Sequence, residues 1–113
     1  MSDSVTSKVR VDMPLCSHET TIEVEDSGDG ILHVRIETTC EDVARYSKLI
    51  KELRIEDYSE FRNSKVLEKA AEACLTPTCL VPSGVFNACW LETGMISRNL
   101  VKKMDTLCIR FEV

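Results

Sequence analysis

Apolar and polar positions alternate over residues 5–13, VTSKVRVDM, with Val9, Val11 and Met13 in one phase and Lys8, Arg10 and Asp12 in the other. A period of two is that of a strand with one face in a core and one in water. Pro14 stops this strand. The alternation resumes over 20–26, TTIEVED, through Ile22 and Val24, and again over 31–39, ILHVRIETT, through Leu32, Val34 and Ile36. The intervening SGDG, residues 27–30, tolerates positive φ, so the second and third strands are expected to form an antiparallel hairpin.

At Cys40 the period becomes helical. In EDVARYSKLIKEL, residues 41–53, the positions Val43, Tyr46, Ser47, Ile50 and Leu53 recur at helix spacing, and Glu41 and Asp42 suit a helix N-terminus. Residues 54–63, RIEDYSEFRN, read as a polar connector. A second helix is expected over 64–74, SKVLEKAAEAC, with Ser64 as N-cap and a stripe of Leu67, Ala70, Ala71 and Cys74. Pro77 opposes its continuation. A third is expected over 82–94, PSGVFNACWLETG, capped by Ser83 and ended by Gly94, with Phe86 and Trp90 on one face turned to the sheet. MISRNLVKK fits a loop or a short helical turn, and TLCIRFEV, residues 106–113, alternates as a final strand. The order β-β-β-α-α-α-β predicts an α+β fold. An antiparallel sheet of three or four strands carries about three helices on one face, in a single domain over residues 1–113.

Composition narrows the function. The chain has 113 residues, 43% hydrophobic and 29% charged, with a net charge of -5. Its basic residues are scattered, which excludes a concentrated phosphate-binding surface and so nucleic acid as the main partner. No apolar run approaches the roughly 20 residues of a membrane helix. The N-terminus has no apolar signal core, so the expected location is the cytoplasm. Six cysteines in that setting point to reduced thiols, metal ligation or redox chemistry rather than to a disulfide framework.

Four of the six lie at element boundaries. Cys16 is in the turn after the first strand, Cys40 between the third strand and the first helix, Cys74 at the end of the second helix and Cys79 before the third. Loop ends at one edge of a sheet can aim side chains into a shared site. Thiolates are ligands of zinc and of iron–sulfur clusters. Cys16, Cys40 and Cys79 are therefore the candidate metal ligands, with Cys74 or His18 as the fourth, and zinc or an iron–sulfur cluster as the cofactor. Cys89 falls within a helix as a core residue, Cys108 within the final strand, and His33 on the wet face of the third. Two other readings stay open. One is a non-catalytic interaction module with cysteines as core filler. The other is a thiol or redox protein in which Cys79, near a helix N-terminus, is the nucleophile and Cys74 its resolving partner. No P-loop, GxGxxG, HExxH or Ser-His-Asp pattern is present, and no catalytic residue is assigned.

The segment from Cys16 to Cys40, LCSHETTIEVEDSGDGILHVRIETTC with its preceding Leu15, resembles the iron–sulfur cluster scaffolds of the IscU/NifU N-terminal type. There a first loop cysteine is followed by a hairpin, a second cysteine at a helix start, and a third before the last long helix. Cys16, Cys40 and Cys79 stand at those places, over roughly residues 14 to 94, by topology more than by identity. The resemblance implies a scaffold or carrier with a protein partner in cluster or metal transfer. The Cys…Cys…Cys-Leu-Val-Pro pattern is also similar to a small uncharacterised family of anaerobic archaea and bacteria.

Overall fold

A computed structural model describes residues 6–113, so Val5 of the first expected strand lies outside the described residues. The chain runs β1 (Ser7–Met13), β2 (His18–Asp26), β3 (Leu32–Thr38), α1 (Glu41–Ser47), β4 (Glu52–Leu53), α2 (Ile55–Tyr58), α3 (Lys65–Glu72), α4 (Val81–Glu92) and α5 (Arg98–Met104). The four strands form one antiparallel sheet in sequence order. The α+β class and the antiparallel sheet follow the sequence pattern.

The first three strands bury the phase that their alternation marks. Val11, Ile22, Val24, Leu32 and Val34 are buried beneath the helices. Lys8, Arg10, Glu25, His33 and Arg35 face water on the other side. There Glu23 receives Arg35 and Lys8 as ion-pair partners. The β2–β3 turn closes as its residues demand: Gly28 and Gly30 have φ of 90° and 85°, and Asp26 and Asp29 accept the Gly28 and Ile31 N–H groups.

Several expectations need correction. The first helix stops at Ser47, whose hydroxyl donates back to the Ala44 carbonyl at 2.6 Å, and the turn closes through Leu49 N–H on Tyr46 O at 2.9 Å. Ile50 and Leu53 are still buried, but Leu53 reaches the core from β4, paired with Leu32. The supposed polar connector contains α2, where the Asp57 carboxylate accepts the Arg54 N–H at 2.9 Å. In α3, Ser64 caps as expected, accepting the Val66 N–H at 3.1 Å. The buried face, however, is Val66 and Ala70, extended by Ala73, while Leu67, Ala71 and Cys74 are exposed. Residues 106–113 carry no strand; all eight are exposed, Cys108 with them.

Helix α4 determines how the layers meet. It packs on β1 and β2, while α1 packs on β3 and α3 joins the two helices. Its N-cap is Leu80 rather than Ser83, with Pro82 in the first turn, where a missing N–H costs nothing. Val81, Gly84, Val85, Ala88 and Cys89 are its buried residues. Phe86 and Trp90, expected to face the sheet, are half-buried beside α2 instead. Phe86 meets Phe61 edge-on at 5.4 Å, and the Trp90 indole N–H donates to the Tyr58 carbonyl at 2.8 Å. At its far end the Glu92 carboxylate accepts Ser7 Oγ at 2.7 Å and the Asp26 N–H at 3.0 Å. Thus α4 starts over the Met13 end of β1 and finishes over the Ser7 end.

The contact closest to the sheet is Gly84. A Cβ there would lie 2.6 Å from Val11 Cγ2 and 2.8 Å from Ile22 Cδ1. Alanine improves helix propensity by about 1 kcal/mol, but overpacking costs about 1–3 kcal/mol. The Val11 methyl sits on a stiff, β-branched side chain, so the second effect wins. Gly84→Ala is expected to lower the denaturant midpoint without changing the slope. An unchanged or raised midpoint would show that the layers part at no cost.

Candidate functional site

The Met13 end of the sheet gathers three of the proposed thiols. Cys16 lies in the β1–β2 turn, which closes through Cys16 N–H on Met13 O at 3.2 Å and places Ser17 at a φ of 59°. Its thiol is exposed and donates to the Met13 carbonyl at 3.6 Å. The β2–β3 register pairs Thr20 with Thr38, and the Thr39 N–H continues it onto Glu19 O at 3.3 Å. Cys40 is the N-cap residue of α1, and its own N–H donates to Thr38 Oγ1 at 3.1 Å. Cys79 arrives from the α3–α4 loop, its N–H on Thr76 O at 3.0 Å, one residue before the α4 N-cap.

Cys79 feels both burial and the groups around it. Burial pushes its thiol above the ordinary range. The Val81 backbone N–H pulls the other way, and Asp42, with Cys40 and Cys16 whenever they are ionised, adds to the upward push. Like charges act so only as neighbours, since their interaction falls with distance and screening. Burial and the N–H groups at the start of α4 thus act on the Cys79 thiol in opposite directions, and burial is the larger. Asp42 belongs to the same surroundings, although as a first-turn acid it read only as a helix-end charge. It is ion-paired with Arg45, whose guanidinium also donates to Ala73 O at 3.1 Å.

His18 is fixed at the same end. Its Nδ1 lies 2.9 Å from Thr39 Oγ1, and that hydroxyl also accepts the Glu19 N–H at 3.3 Å. In the tautomer whose Nδ1–H donates to Thr39, Nε2 presents its lone pair.

Cys74 is held differently. It occupies the first position past the α3 C-cap, in the left-handed conformation with φ of 65°. The Leu75 N–H on Ala70 O and the Cys74 N–H on Ala71 O, both 3.0 Å, complete a Schellman closure. Its thiol is exposed and directed to Glu72 O, so it is not the core residue that an apolar stripe implied. Cys89 is fully buried, with its thiol pushed up to about 12 by desolvation. All six cysteines are free. Among the described residues, no three His, Cys, Asp or Glu side chains are already arranged to hold a metal ion.

Two outcomes follow from this geometry. Glycine at position 74 removes the left-handed strain of a residue with a Cβ, so Cys74→Gly is expected to raise stability by about 1 kcal/mol; a lowered melting temperature would contradict the closure. In mildly alkaline solution, iodoacetamide is expected to label Cys16, Cys74 and Cys108 before Cys79, and Cys89 only on unfolding. A raised thiol pKa leaves less thiolate at a given pH, so Cys79 labelling should accelerate only above the ordinary thiol range. Cys79 reacting first would contradict its burial.

Comparison with known proteins adds the family. No helix among the described residues is long and apolar enough to cross a membrane. No curated protein and no solved structure matches the chain. Residues 7–104 match a family of unknown function, a span from the start of β1 to the end of α5, and the chain belongs to that family, DUF6951.

Proposed function

We propose that this protein binds a thiophilic metal ion or an iron–sulfur cluster through Cys16, Cys40 and Cys79, with His18 as fourth ligand. It serves as a carrier or scaffold that passes this cargo to a protein partner in the cytoplasm, where reducing conditions keep thiols free. The observation that carries the reading is the arrival of three thiols, from three separate connections, at one end of the sheet around Cys79. Soft thiolates with an imidazole suit zinc and iron–sulfur clusters. Burial above all, with Asp42 nearby, opposes ionisation of Cys79 when no cation is near, and a bound cation reverses that penalty. The Thr39 hydroxyl on His18 Nδ1 is the kind of outer partner that orients a ligating imidazole.

The side chains do not already stand in ligand positions, so binding includes rotation of the exposed Cys16 and half-buried Cys40 thiols toward Cys79. A site completed by its cargo fits reversible loading better than permanent structural ligation. The resemblance to cluster scaffolds supports the same reading. A redox pair of Cys79 with Cys74 has less support, because Cys74 is turned to Glu72 O and the Cys79 thiol is pushed up by burial.

Protein purified without oxygen is expected to retain stoichiometric zinc or iron with sulfide, by elemental analysis and absorption. Cys16→Ser, Cys40→Ser and Cys79→Ser should each abolish that content at full folding, and Cys74→Ser and Cys108→Ser should preserve it. Thr39→Val should weaken binding by about tenfold through His18. Equal metal content in wild type and a Cys40→Ser/Cys79→Ser double variant would exclude the site.

A further inference from the structure

Residues 106–113 have the pattern of a strand and no partner strand. Leu107, Ile109, Phe111 and Val113 are 79%, 66%, 70% and 122% exposed and share one phase, opposite Cys108, Arg110 and Glu112. The segment follows α5, beyond the family match. At the edge of the sheet, β1 pairs only with β2, and among the described residues no strand covers its outer side. Val9 and Met13 are only partly buried along that edge. The alternating segment and the open strand have matching faces.

We propose that residues 106–113 of one copy add as an antiparallel strand to the β1 edge of a second copy, and reciprocally, making a dimer closed by two exchanged strands. The mode is β-strand addition, in which main-chain hydrogen bonds supply affinity and alternate side chains supply register. One register satisfies both faces. It sets Val113, Phe111 and Ile109 beside Val9, Val11 and Met13, and it sets Glu112 against Arg10 and Arg110 against Asp12. Sliding by two residues one way places Arg110 against Arg10, while Glu112 then meets Lys8; sliding the other way places Glu112 against Asp12. Sliding by one turns the apolar face to water.

The occupant is a second copy because the described chain leaves its own edge open. Residues 106–113 are all exposed, and β1 pairs only with β2. Exchange between two copies gives one repeated interface under two-fold symmetry.

Sedimentation of the full chain under reductant, which removes any Cys108 disulfide, is expected to show a dimer. Phe111→Asp should give a monomer with an unchanged melting profile at low concentration, since Phe111 is exposed within one copy. Arg10→Glu and Glu112→Arg should each raise the dimer dissociation constant several-fold, and the two together should restore it. A monomeric wild type overturns the proposal, including a monomer whose β1 amides exchange slowly because its own segment covers them. So does a dimer that survives Phe111→Asp, or a double variant no tighter than either single one.

Discussion

The close approach of α4 to the sheet at Gly84 is the constraint on which the arrangement rests. With no side chain there, the helix settles directly on Val11 and Ile22, leaving no room for a Cβ. The Glu92 carboxylate pins the other end of the helix to Ser7 and Asp26. Two fixed points define a line, and the loop before the helix is carried to the Met13 end of β1. Cys79 stands in that loop. A thiol distant in sequence is thereby delivered to the turn and the strand end that hold Cys16 and Cys40.

The chemistry of that end follows from what surrounds the thiols. Thr39, with its hydroxyl between His18 and the Glu19 N–H, ties the imidazole to the strand end preceding Cys40. Burial raises the Cys79 thiol above the ordinary range, which lowers the share of reactive thiolate. Cys89 shows the contrast: it is buried deeper within α4, behaves as a small hydrophobe and belongs to the core.

Much of the fold was legible because strand alternation is a strong local signal. β1, β2 and β3 follow it residue by residue, and the SGDG turn follows from the two glycines that take positive φ. Helical spacing was less decisive. The run from Val43 to Leu53 keeps helical spacing, yet pairing with Leu32 draws its end into β4. In α3 the sequence offers two apolar stripes, and only packing against α1 and α4 selects Val66 and Ala70 over Leu67 and Ala71. Residues 106–113 show the converse: a strand pattern has no structure without an edge to pair with. The boundary placement of Cys16, Cys40 and Cys79 could be read from the sequence, whereas the outward, left-handed setting of Cys74 is a property of the helix ending.

The central claim is that three thiols distant in sequence share one site. A trivalent arsenical such as phenylarsenoxide bridges two thiols that approach each other, and digestion with mass spectrometry identifies the pair. Applied to the folded, reduced protein, it is predicted to bridge Cys79 to Cys40 or to Cys16. Bridging of Cys79 to Cys74 or Cys108, or the absence of any bridge within one chain, would contradict the account.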